Sequence, residues 1–212
     1  MNGAMSLLKT LTNNGVDVCF TNPGTSEMHM VAAIGQTGGM RSILSLFEGV
    51  CTGAADGYGR IAGKPACTLL HLGPGLSNGS ANLHNARKAN SPVINLIGDH
   101  ATYHKKYDAP LNSDVIGLAK PVSHWVRSVA DAVSLPGDAA DAVVAANVKP
   151  GQIATLIVPA DCAWDESVEP IAEREMPAAP RVTELSITKA SEMLGNGKPT
   201  VILMSNLALT EQ

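Results

Sequence analysis

Ile43-Leu44-Ser45-Leu46-Phe47-Glu48-Gly49-Val50-Cys51-Thr52-Gly53-Ala54-Ala55-Asp56-Gly57-Tyr58-Gly59-Arg60 is the stretch on which the fold turns. A short apolar run (43–47) reads as a buried strand. The small-residue segment after it reads as a helix, and Glu48 stands at the junction. In open α/β sheets the carboxyl ends of the strands are where ligands bind. Asn22-Pro23-Gly24-Thr25 and Gly73-Pro74-Gly75 follow other apolar runs in the same way, so three strand ends converge on one region.

Outward from there the chain alternates. Leu7, Leu8 and Leu11 share one helical face, and Asn13-Asn14-Gly15 ends that helix. Strands are expected at 16–20, 43–47, 66–71, 93–97 and 153–158. Helices are expected from near Thr25, where Glu27 favours the first turn, and over 49–62, 75–89 and 130–146. Short apolar runs separated by helices imply an α/β fold, a doubly wound, mostly parallel sheet with helices on both faces.

Residues 1–160 form the expected first domain. Residues 161–182, rich in Asp, Glu, Pro and Ala, read as a linker. Leu185, Ile187, Ala190 and Leu194 then mark an amphipathic helix, and Thr200-Val201-Ile202-Leu203-Met204 a strand. Residues 183–212 are therefore expected to begin a second, truncated α/β domain.

Composition narrows the function classes. Hydrophobic residues make up 45% of the chain and aromatics 3%, so the core is aliphatic. A net charge of -4 argues against nucleic acid as a partner. No apolar run approaches the roughly 18 residues of a membrane span, and the N-terminus lacks signal-peptide regions, so a cytoplasmic, non-membrane protein is expected. Cys19, Cys51, Cys67 and Cys162 form no CxxC pair and are expected to be free, buried thiols. His100 and His104 have metal-pair spacing on a helix but no third ligand nearby, so no metal site is assigned to this chain.

Four segments, in order, resemble the N-terminal pyrimidine-binding domain of thiamine-diphosphate-dependent enzymes, in the acetolactate synthase large subunit and benzoylformate decarboxylase group. They are Phe20 through Glu27, Glu48 through Arg60, Gly73 through Gly79 and Asn90 through Gly98. Each alone is weak, and their order and spacing carry the resemblance. In that family a glutamate hydrogen-bonds N1′ of the cofactor's aminopyrimidine, whose imino form then deprotonates the thiazolium carbon. The resemblance assigns this role to Glu48, in a dry pocket; an isolated glutamate there is more often placed for the helix dipole. It implies cofactor contacts at Pro23, Gly24, Gly75 and Asn78, and substrate contacts at Asn22 and Thr25, although Thr25 is by default a helix cap.

His71 matches a position where benzoylformate decarboxylase carries a proton-transferring histidine, whereas synthases read Thr-Ser before the Gly-Pro-Gly. Gly98-Asp99-His100 likewise departs from the synthases' Gly-Gln. The implied function is a 2-oxo acid decarboxylase/carboligase of acetolactate synthase type. The alternatives are a non-ligating, benzoylformate decarboxylase-like enzyme and, in another class, a non-catalytic binding or regulatory module keeping the fold. The family binds the diphosphate and Mg²⁺ on a separate domain through a Gly-Asp-Gly segment that this chain lacks. Its active sites form between subunits of a dimer or tetramer. The chain by itself is therefore expected to be inactive.

Overall fold

The computed structural model describes residues 1–209. They divide into two compact units at Pro177/Ala178. In the first unit six parallel strands lie in the order β2-β1-β3-β4-β6-β5. They are β1 (Val18–Asn22), β2 (Arg41–Leu44), β3 (Ala66–His71), β4 (Val93–Asp99), β5 (Trp125–Ser128) and β6 (Ile153–Pro159). The connecting helices are α1 (Gly3–Asn13), α2 (Met28–Thr37), α3 (Glu48–Ala62), α4 (Leu72–Lys88), α5 (Val115–Ala119), α6 (Leu135–Asn147) and α7 (Ala160–Trp164).

Side-chain alternation along the strands feeds two cores. Cys67, Leu69, Ile94, Leu96, Ala154 and Leu156 meet α1, α2 and α6 through Leu7, Leu8, Leu11, Met30 and Val143. Their neighbours Ala66, Leu70, Val93, Ile97, Ile153 and Ile157 meet α3, α4 and α5 through Cys51, Leu76, Leu83 and Val115. Burying each large aliphatic side chain contributes about 1.5–3 kcal/mol, so no aromatic core is needed. On the second face Thr68 Oγ1 donates to Asn95 Oδ1 (2.8 Å), Asn95 Nδ2 donates to Thr155 Oγ1 (2.9 Å), and Ser123 Oγ lies 2.7 Å from Thr155 Oγ1. This buried ladder crosses β3, β4 and β6; a register slip would leave its polar groups unpaired. All four cysteines are free and buried.

Local signals explain the ends of the elements. Asn2 Oδ1 accepts from Met5 N at 2.9 Å and caps α1, while Gly63, at a left-handed φ of +66°, stops α3. β2 ends at Leu44, not at Phe47: Ser45 N donates to Thr21 O, and Leu46 and Phe47 turn outward into solvent. The short edge strand β5 is not legible as an apolar run. Its Arg127 bonds Asp138 and Asp141, each at 2.7 Å, and covers the Trp125 ring.

Residues 165–176 run along α1. Ser6 Oγ donates to Val168 O (2.8 Å), Ile171 N to Thr10 Oγ1 (3.0 Å) and Arg174 N to Asn14 Oδ1 (2.9 Å). The second unit holds α8 (Glu184–Gly195), capped by Thr183 Oγ1 accepting from Ser186 N at 3.2 Å. The strand expected over 200–204 is not formed; residues 201–205 are irregular and exposed. Among the described residues of that unit there is no other strand, and a lone strand leaves its ladder groups unpaired. Residues 210–212 of the expected second domain lie outside the described residues. No helix among the described residues is long and apolar enough to cross a membrane.

Candidate active site

β1 leads out to β2 on one side and β3 to β4 on the other, so the connections leaving these two neighbours diverge between them. This is a topological switch point, where doubly wound sheets open a crevice at their carboxyl ends. The turn after β1, the start of α3 and the start of α4 all face it.

Glu48 is the first residue of α3 and is half-buried. Its Oε2 accepts from Asn78 Nδ2 at 3.0 Å. Its Oε1 lies 3.4 Å from where a side-chain carbon on Gly75 would sit, and His71 Cβ is equally close to that point. Gly75 is thus a slot floor between Glu48 and His71. The close packing of α3 on α4 that sets this geometry relies on Gly79, where a Cβ would come within 2.8 Å of Thr52 Cγ2. Within this chain Glu48 is half-buried, and its bond to Asn78 faces solvent.

His71 ends β3, and the next residue, Leu72, takes a left-handed φ of +42° as the chain turns directly into α4. A branched residue there stores backbone strain, a feature that clusters at functional sites. The His71 side chain is 19% exposed, and its Nδ1 lies 2.9 Å from Glu27 Oε2. Gly24 closes over the ring; a Cβ on it would lie 2.3 Å from His71 Nδ1.

Glu27 is the residue that sequence reading leaves out. It stands in the first helical turn, as expected, but is wholly buried there, at the end of a 3-10 turn (Thr25–Glu27), and its Oε2 accepts from Gly24 N at 2.6 Å. It therefore closes the turn back on Gly24, the role expected of Thr25, which is exposed. Burial pushes the Glu27 carboxyl above its ordinary value, against the opposing pull of His71 and of the Gly24 N–H. Its Oε1 has no partner and abuts β4, where a Cβ on Gly98 would lie only 1.6 Å away. The legible hint was the pairing of a glutamate just after a Pro-Gly turn with a glycine at the end of a central strand.

The other expected contacts sort by position. Pro23 and Gly24 are half-buried in the turn beside His71. Asn22 Nδ2 donates to Ser45 O at 3.0 Å, tying the end of β1 to the turn after β2. At the end of β4, Asp99 is buried and pairs with Lys105 Nζ at 2.5 Å. The His100 and His104 rings lie 5.3 Å apart, and His100 Nε2 is buried without a partner. Among the described residues no cluster of three His, Cys, Asp or Glu is placed to hold a metal.

The donor set at the slot fits an aminopyrimidine. One glutamate oxygen is held by Asn78 and the other is left beside a side-chain-free floor, as a flat ring carrying a nitrogen acceptor or donor would need.

Residues 1–135 match the family model for the thiamine pyrophosphate enzyme, N-terminal TPP binding domain. IlvX of Mycobacterium tuberculosis, provisionally named an acetolactate synthase large subunit, is 53% identical over 96% of this chain. Benzoylformate decarboxylase of Pseudomonas aeruginosa is 29% identical over 92% of it. The chain spans 39% of the length of the first relative and 37% of the second. A thiamine diphosphate-dependent 4-hydroxybenzoylformate decarboxylase from Rhodococcus jostii RHA1 has the same fold, with a TM-score of 0.83 over 92% of this chain and 37% of its own, at 24% identity. The chain thus belongs to the thiamine pyrophosphate enzymes, and residues 1–135 are its N-terminal TPP-binding domain.

Proposed function

We propose that this chain is the pyrimidine-binding part of a 2-oxo acid decarboxylase/carboligase of acetolactate synthase type. The observation that carries the reading is Glu48, anchored through Oε2 to Asn78 with Oε1 left at the Gly75 slot. Glu48 would hold the ring nitrogen of the aminopyrimidine and exchange a proton with it, while Gly75, Pro23 and Gly24 let the cofactor approach the backbone. Thiamine diphosphate, when bound, supplies the nucleophilic carbon that attacks the 2-oxo carbonyl and accepts the electrons released with CO₂.

The diphosphate and Mg²⁺ belong to a further domain of the complete protein, which residues 183–212 begin to lead into after the linker. The site is completed by a second subunit of a dimer or tetramer in the cytoplasm. Asn22 and Thr25 face the substrate side. The chain alone therefore binds the cofactor poorly and turns nothing over. A second reading, a benzoylformate decarboxylase-like enzyme that protonates and releases its product, is supported by His71 and its contact with Glu27.

CO₂ release by the complete gene product, supplied with thiamine diphosphate and Mg²⁺, is expected from at least one of pyruvate, 2-oxobutyrate and benzoylformate. Aldehyde or acyloin as the second product distinguishes the two readings. Glu48→Gln should lower turnover by about a hundredfold or more without altering the fold. Unchanged turnover in that variant would remove Glu48 from the reaction, and no turnover of any 2-oxo acid would sink the assignment in favour of a binding module.

A further inference from the structure

Glu27 is costly to the fold in a way that capping a turn does not require. Serine, threonine and aspartate satisfy turn amides while exposed, whereas Glu27 is wholly buried with one oxygen unpartnered. An orphaned buried acceptor loses its hydration without gaining a partner, and so destabilises the fold. The carboxylate is also immobilised. Oε2 is held by Gly24 N and by His71 Nδ1, and Oε1 is pressed against the bare backbone of Gly98. The turn, β3 and β4 meet on this one group.

The hydrogen-bonding roles follow from atom types. The Gly24 amide only donates, and an ionised carboxylate only accepts, so His71 Nδ1 carries the proton that lies between them. The other ring nitrogen, Nε2, points away from Glu27. It is neither bonded within the described residues nor a buried orphan. The charged and titratable groups around the pair are few. His71 itself comes from β3, the turn contributes only the Gly24 N–H, and β4 contributes backbone at Gly98. Asp99 of β4 is committed to Lys105, and Glu48 of α3 lies across Gly75.

We propose that Glu27 is the positioning residue for His71, fixing the imidazole with its proton on Nδ1 and presenting Nε2 to the cleft beside Glu48. This rests on the reading of that cleft as the thiamine diphosphate site. His71 Nε2 takes a proton from the substrate-derived group or from solvent and returns it to the reacting atom. The Glu27 carboxylate balances the imidazolium charge in between and transfers no proton itself.

The tautomer of His71 tests this without turnover. In the ¹⁵N-labelled 212-residue chain, long-range ¹H–¹⁵N spectra, assigned through His71→Gln, are expected to show the neutral ring protonated at Nδ1. A neutral ring protonated at Nε2 overturns the proposal. In the complete gene product, Glu27→Gln is expected to lower kcat at least about tenfold with KM within about threefold. In a His71→Ala background the same change should cost nothing further. An equal loss in both backgrounds makes Glu27 merely structural and also overturns the proposal. Should no 2-oxo acid be turned over, the reading of the reaction fails, and the tautomer still decides the role of Glu27.

Discussion

Glu27, in the turn after β1, and Glu48, at the start of α3 after β2, each follow a strand of the same sheet, yet one is sealed from solvent and the other half open. What differs is the neighbour that the topology supplies. β1 is an inner strand, so its turn is roofed by β3 and β4 and meets His71 and Gly98. β2 is an edge strand, and Glu48 after it bonds Asn78 of α4 through one oxygen and leaves the other beside Gly75. The same side chain becomes an internal strut in one place and a half-open group in the other. Strand order, not local sequence, draws that distinction.

The strongest way to break the comparison is at the two glycines that face the carboxylates. Gly98→Ala puts a carbon 1.6 Å from Oε1 of the Glu27 side chain, which Gly24 N and His71 hold in place. A loss of about 3 kcal/mol in urea unfolding is expected, partly recovered in Gly98→Ala/Glu27→Ala. An undiminished midpoint in the single variant would mean that Glu27 is not wedged as described.

A smaller effect concerns pH. Because burial holds the Glu27 carboxyl above its ordinary value of 4.5, the folded state keeps its proton more tightly than the unfolded state does. The stability associated with that proton is fully present below the unfolded value and is lost as pH rises through the folded one. Relative to wild type, Glu27→Gln should thus gain stability as pH rises from 4 to 7, while losing activity, the usual trade at a functional site. A stability difference that is flat with pH would show that the carboxyl is not destabilised by burial.

The smallest effect is expected at Gly75. An added carbon there makes ordinary contacts at 3.4 Å, and alanine favours a helix by up to about 1 kcal/mol. Gly75→Ala should leave the unfolding midpoint unchanged or raised, yet weaken thiamine diphosphate binding by the complete gene product. Unaltered affinity would remove Gly75 from the slot.

Part of the candidate site was legible along the chain. Glu48, Gly75 and Asn78, the last two named through the family resemblance, do come together, because each sits in the first turns of a helix that starts at a strand's carboxyl end. The parallel sheet was legible too, since strands buried on both faces need near-continuous apolar runs such as Val93–Ile97, interrupted only by Asn95 of the buried ladder. β5 was not, because an edge strand can be short and polar, with Arg127 satisfied by Asp138 and Asp141. The apolar run 200–204 misled in the opposite direction: hydrophobicity marks a segment able to join a sheet, and the second unit offers no other strand among its described residues.

By itself, then, the sequence determined the alternation of elements, the family, and the placing of a carboxylate, Glu48, where a helix begins at a strand's carboxyl end. Those are properties of short windows, where periodicity and turn chemistry act over a few residues. Only the tertiary structure decided that Glu27 meets His71 across 44 positions, that Gly98 bears on its far oxygen, and that Glu48 is half open. Burial and pairing depend on which strands become neighbours, and that choice is made by the packing of both cores together.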